Sequence, residues 1–169
     1  MDPEGMLKGR MAETLVEELL RNSGNTVYRF GYEAILQNLT QIEKSFKGYD
    51  ETAQRIRAIP DFIVLDKEGK PTFVEVKFRW NGRLHEHDRE RLDRIKNFWN
   101  AKILFVNCSA KPYFTISTPP YFSDDGSFRS MPLLSETAFK ISAEAYEKAE
   151  QLVEKYVSPT LIKNSNTEK

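Results

Sequence analysis

Cysteine is almost missing from this 169-residue chain. Cys108 stands alone, which excludes an internal disulfide and a cysteine-cluster zinc site. Its place just after the apolar run Ile103–Val106 reads as a buried, inert thiol rather than a nucleophile. Long apolar runs are missing too. None approaches the roughly eighteen residues of a membrane span, so neither a transmembrane helix nor a membrane partner is expected. Residues Met1–Gly5 show neither the basic start nor the apolar stretch of a signal peptide, and a cytoplasmic location is the expectation. There is no Gly-x-Gly-x-x-Gly or Walker loop to cradle a nucleotide, and no Gly-x-Ser-x-Gly elbow to present an acyl-transfer serine. No internal repeat is visible. Net charge is absent as well, since 25 Lys and Arg balance 25 Asp and Glu. That balance weighs against a protein that holds nucleic acid by its overall field.

What the chain does have is the composition of a globular domain, 40% hydrophobic and 30% charged. Apolar residues at helical spacing (Met11, Leu15, Val16, Leu19, Leu20) predict a helix over 8–22, closed by Ser23-Gly24-Asn25. A short strand is expected over 27–30, a helix over 33–47 and a polar loop over 48–58. Strands around Asp61 and Glu75 follow, then a helix over 86–100 with Leu92, Ile95, Phe98 and Trp99 inward. Compact apolar runs predict strands at 102–106 and 113–116. Pro119-Pro120 and Ser123–Ser127 mark an exposed loop. A long closing helix is expected over 135–157 with Ser135 as N-cap, ahead of a polar tail at 161–169. The expected fold class is α/β.

The most informative stretch is a pair of apolar segments that contain charges. Pro60-Asp61-Phe62-Ile63-Val64-Leu65 and Thr72-Phe73-Val74-Glu75-Val76-Lys77 both read as buried strands. Burying an unpaired charge costs several kcal/mol, roughly, so these charges need partners or a ligand. Between the segments, Asp66–Pro71 is turn chemistry, with Gly69 free to take positive φ. Folding the pair about residue 68 as an antiparallel hairpin sets Asp61 opposite Glu75. Alternation along the strand puts Glu75 and Lys77 on one face. Two carboxylates and a lysine thus meet near one end of a hairpin. An ordinary ion pair between Lys77 and a carboxylate is the competing reading.

Pro60-Asp61 and Glu75-Val76-Lys77, separated by thirteen residues, resemble the signature of the PD-(D/E)XK (restriction endonuclease-like) nuclease superfamily. The resemblance implies one nuclease-like domain over 1–160, with an αβββαβ mixed central sheet flanked by helices. A helical insert would follow the first strand and a helix would close the chain. It also implies a magnesium-dependent endonuclease acting on DNA, in which manganese substitutes and the products carry 5′-phosphates. Asp61 and Glu75 would bind the metal, with the Val76 carbonyl as a further oxygen donor. Lys77 would position or polarise the attacking water, or stabilise the charged transition state. With two carboxylates beside it, the electrostatic role is favoured over that of a general base. A homodimer would suit paired cuts. A nucleic-acid-binding module without catalysis and a structural or interaction domain are the alternatives.

Many members add an acid from the first helix, and Glu13 and Glu17 share one helical face here. The stretch Gly9–Glu17 is weakly similar to the opening helix of archaeal Holliday-junction resolvases, and that similarity selects Glu13. Arg55, Arg57, Arg79 and Arg83 flank the motif and could grip phosphate, although solvated loop charge explains them equally well. From Lys77 to Lys96, seven Lys or Arg face four Asp or Glu. Within that run Arg89, Arg91 and Arg94 alternate with acids and read as a salt-bridged helix face. His85 and His87 lack the spacing of a helical zinc pair and read as surface or substrate-side residues. Tyr32, Tyr49 and Trp80 are candidates for stacking on bases, with core or rim packing as the commoner role.

Overall fold

The computed structural model of the chain describes residues 3–31, 50–79, 84 and 86–158. It shows a mixed α/β architecture. One six-stranded sheet runs in the order β1-β2-β3-β4-β5-β6. Its strands are β1 (Thr26–Arg29), β2 (Phe62–Leu65), β3 (Pro71–Arg79), β4 (Lys102–Asn107), β5 (Phe114–Ser117) and β6 (Met131–Pro132). Only β3 and β4 pair in parallel; the other neighbours are antiparallel. Among the described residues the α-helices are α1 (Pro3–Asn22), α2 (Glu51–Arg57), α3 (Glu86–Trp99) and α4 (Ala143–Leu152), the last continued by a π-helical turn, Val153–Val157. Among the described residues no helix is long and apolar enough to cross a membrane.

Alternation along the strands divides the core into two halves. Val27, Phe62, Val64, Val74, Val76, Leu104 and Val106 face α1 and α4. There they meet Ala12, Val16, Leu19 and Leu20 of α1 and Ala145 and Ala149 of α4. On the other face Ile103 and Phe105 pack with Leu92 and Ile95 of α3 and with Tyr121, and Phe73 joins them. Phe30, Phe73 and Trp99 form a cluster with ring centroids 5.3–5.4 Å apart. Glu75, Lys77 and Arg79 share the strand parity of Phe73, so they lie on the α3 face.

The β2–β3 hairpin matches the expected register. Phe62 pairs with Val74 and Leu65 with Pro71, which centres the hairpin on residue 68. Gly69 adopts φ +80°, and the Asp66 carboxylate accepts the Glu68 and Lys70 N–H groups across the turn. At the end of α1, Gly24 takes φ +87° and its N–H bonds the Arg21 carbonyl at 2.9 Å, the cap that the sequence predicts.

Four expectations change. The first helix begins at Pro3 rather than Lys8, because its opening turns are exposed and carry no apolar stripe to read; Pro suits a first helical turn. Residues 51–57, expected as loop, form α2, which buries only Ala53. That helix is held from outside: the Trp99 Nε1–H donates to the Arg55 carbonyl at 3.2 Å, and the Arg55 guanidinium lies 5.5 Å from the Phe98 ring centre. The closing helix starts at Ala143, not after Ser135. Ser142 is its N-cap, accepting the Ala145 N–H at 3.1 Å. Lys140 at φ 45° breaks any helix between the two serines, and Leu133–Ser135 is a 3₁₀ turn. The two-residue β6 was not expected. The helix expected over 33–47 and the polar tail at 161–169 lie outside the described residues.

One ion pair ties this closing region to the sheet. The Lys102 Nζ, at the start of β4, lies 2.7 Å from Glu136 Oε2, and both side chains are largely buried. Burial pushes the Glu136 carboxyl up, but the Lys102 ammonium and the Ala138 and Thr137 N–H groups outweigh it and hold the group below the ordinary 4.5. A carboxyl held low in the fold stabilises above its unfolded value, and that contribution is lost as pH falls through the lowered folded value. Glu136→Ala is expected to cost about 3 kcal/mol in urea unfolding at pH 7, because it strands a buried ammonium. The loss should shrink below pH 4.5. An equal loss at pH 7 and in acid would show that the charge is not what holds this region.

Candidate active site at the mouth of the β2–β3 hairpin

Asp61 stands one residue before β2. Extending the Phe62–Val74 register by one step places it across from Glu75. Asp61 is held from both sides. Its carbonyl accepts the Phe30 and Gly31 N–H groups at 2.8 and 2.9 Å, and its Oδ2 accepts the Val76 N–H at 2.7 Å. Gly31 must lie close for this: a Cβ there would sit 3.3 Å from the Asp61 Cα and 3.6 Å from Oδ1. The carboxylate therefore reaches from the strand end onto the backbone of the Glu75-Val76-Lys77 segment.

Glu75 is 3% exposed in the middle of the sheet. Its Oε1 accepts a hydrogen bond from the Lys77 ammonium, two residues on along the same face. Arg91 of α3 approaches the same oxygen, with Nη2 at 3.5 Å. Tyr121 lies on this side as well: burial first, and then the Glu75 charge, push its hydroxyl up, and it donates to the Ala101 carbonyl.

The electrostatics are unbalanced at Asp61. Burial raises its carboxyl well above the ordinary 3.8, and the charge of Glu75 adds to this. Lys77 opposes the shift, Glu13 reinforces it, and the Val76 N–H opposes it weakly. Two acids thus act on Asp61 against one lysine. Glu13 belongs to α1, on the other face of the sheet, and its field reaches Asp61 because Asp61 sits at the strand's mouth. Glu17, one turn later, is engaged away from the site: Arg29 Nη2 lies 2.6 Å from it and Arg21 Nη2 3.0 Å. Arg29 is looser on Glu13, at 3.7 Å.

The arginines expected to flank the site take different places. Arg79 is on the face of Glu75 and Lys77, but its guanidinium is bonded to Asp88 of α3 and to the Phe78 carbonyl. Arg55 is on α2, 3.6 Å from Glu51, and Arg57 is exposed on the same helix. Arg83 lies outside the described residues, as do His85, Tyr32, Tyr49 and Trp80. The helix face expected to be salt-bridged throughout is so only in part. Arg94 pairs loosely with Glu90 at 3.9 Å, and Arg89 lies 4.2 Å from the Phe122 ring centre. Arg91 turns to Glu75 instead, so the sequence reading missed it as a residue of this site. The available signal was its three-residue spacing from Asp88, which sets both on one helical face. Cys108 is buried and its thiol is pushed up to about 12 by that burial, in keeping with an inert role.

The side-chain oxygens that the site could offer a cation are those of the Asp61 and Glu75 carboxylates, which already accept from the Val76 N–H and the Lys77 ammonium. Among the described residues no group of three or more His, Cys, Asp or Glu side chains is gathered tightly enough to hold a metal ion. No protein-family model and no curated protein matches the chain.

A raised carboxyl means that folding favours the protonated form of Asp61. Stability is full below the ordinary 3.8 and is lost as pH rises through the raised folded value. Asp61→Asn keeps an acceptor for the Val76 N–H and removes the charge. In chelator at pH 8 it is expected to raise the thermal midpoint by several degrees, on the order of 1 kcal/mol. The gain should close as pH is lowered toward 3.8. A midpoint below the parent's at pH 8 would contradict the charge imbalance.

Proposed function

We propose that the chain is a PD-(D/E)XK nuclease with a restriction endonuclease-like core, hydrolysing phosphodiester bonds in DNA with magnesium. The observation that carries this reading is the set Asp61, Glu75 and Lys77 at the mouth of one hairpin, Asp61 just before β2 and the other two on β3, with Asp61 short of positive charge. The order α1, β1, β2, β3, α3, β4 supports it, since that is the order the resemblance implies.

The donor set suits magnesium. The cation prefers oxygen and asks for only one or two carboxylates, with water and phosphate filling the remainder. The two acids pressing on Asp61 leave a deficit of positive charge that a divalent ion would relieve. Asp61, Glu75 and the Val76 carbonyl would hold it, with Glu13 behind Asp61. An ion held there would supply Lewis-acid neutralisation of charge at the phosphoryl group. Lys77, fixed by Glu75, places a positive charge where the transition state gains negative charge. The Val76 N–H holds the Asp61 carboxylate and the Phe30 and Gly31 N–H groups hold its main-chain carbonyl, and preorganisation of this kind lets charges act without rearranging.

The direct Lys77–Glu75 pair favours a second reading, a structural or interaction domain in which the acids and the lysine are only ion-paired. One screen separates the two. Junction, duplex, flap and single-stranded DNA are incubated with magnesium, manganese or chelator. Cleavage is expected with either metal and not with chelator, leaving 5′-phosphates. Asp61→Ala, Glu75→Ala and Lys77→Ala should each slow it on the order of 100-fold or more. Cutting by the triple variant at the parent's rate would refute the assignment, and a parent that neither cuts nor binds any of these DNAs would favour the structural domain.

A further inference from the structure

Resting on the nuclease reading, we propose that Arg91 is the residue of this site that grips the substrate's phosphate. Two cations meet Glu75 among the described residues, and they differ in access. The Lys77 side chain is 11% exposed, whereas that of Arg91 is 56% exposed. A phosphate arriving from solvent therefore meets Arg91 first. Its hold on Glu75 is at the limit of a hydrogen bond, 3.5 Å through one nitrogen. A guanidinium offers five donors in a planar fork that matches two phosphate oxygens, so most of its capacity is unspent on Glu75.

The base of Arg91 is firm even though its tip is open. Asp88, three residues earlier on the same helix face, is locked to Arg79 of β3. Leu92, next to Arg91, is buried against the sheet. Glu75 with Arg91 and Arg79 with Asp88 form two oppositely oriented ion pairs between β3 and α3. One is buried and fixes the helix; the other is loose and faces water. A loose, exposed arginine beside a buried acid can exchange a weak contact for a bidentate one without moving the backbone.

The experiment measures binding by fluorescence anisotropy, with fluorescein-labelled junction, duplex, flap and single-stranded DNA. Calcium replaces magnesium, and the salt concentration is varied. The variants are Arg91→Ala, Arg91→Lys and Arg94→Ala, the last as a control one turn along. If Arg91 grips phosphate, Arg91→Ala binds about tenfold more weakly, and its plot of log affinity against log salt is shallower by about one. Arg91→Lys should restore the slope and part of the affinity, and Arg94→Ala should match the parent. A role confined to steadying Glu75 would shift the thermal midpoint and leave the salt slope unchanged, which would overturn the proposal. Unaltered binding by Arg91→Ala would overturn it too, with the nuclease reading intact. Failure of the parent to bind any of the four DNAs would overturn both.

Discussion

A carboxylate kept almost out of water in the middle of β3 is the constraint around which this sheet is organised. Burying Glu75 unpaired would cost several kcal/mol, roughly, a large share of a domain's stability. Lys77 offsets part of that cost from the next position on the same face, and Arg91 adds to it from α3. Arg91 can do so only because α3 is fixed against β3. The apolar contacts of Leu92 and Ile95 provide one anchor, and the Arg79–Asp88 pair provides the other. The helix, the parallel β3–β4 pairing beneath it and the charges between them form one arrangement.

Asp61 is the counterweight. Three main-chain N–H groups hold it, two on its carbonyl and one on its carboxylate, yet its charge is poorly compensated. Structure has been spent on holding an acid where the fold alone would prefer it protonated. Such conflicts between local stability and placement collect at sites that act on ligands. Glu13 sharpens the conflict from the opposite face of the sheet, while Glu17 is neutralised by Arg21 and Arg29.

The hairpin was legible in the sequence because its two apolar runs are nearly symmetric about Glu68, and symmetry fixes register once the turn residues are recognised. The crossover helix was legible in extent, but not in the aim of its arginines. Which of Arg89, Arg91 and Arg94 meets the sheet depends on how α3 is rotated over β3, and the packing of Leu92 and Ile95 decides that. Arg79 looked like a phosphate ligand because the sequence does not show Asp88 lying over it. The closing helix was placed too early because Ser135 and Ser142 are both sound caps, and only the left-handed turn at Lys140 separates them. Helix α2 was hidden because its burial is confined to Ala53 and its anchor, Trp99, lies far along the chain.

The two ion pairs bridging β3 and α3 bear differently on how this sequence can drift. Arg79 and Asp88 are both largely buried, so replacing either alone leaves the other's charge less well balanced between β3 and α3. Descendants would be expected to keep both or to lose both, and the two alignment columns would vary in step. Position 91 is tied more weakly, since its side chain is mostly in water and meets Glu75 at 3.5 Å. Strict invariance there would exceed what the weak tie to Glu75 requires and would point to whatever the protein touches.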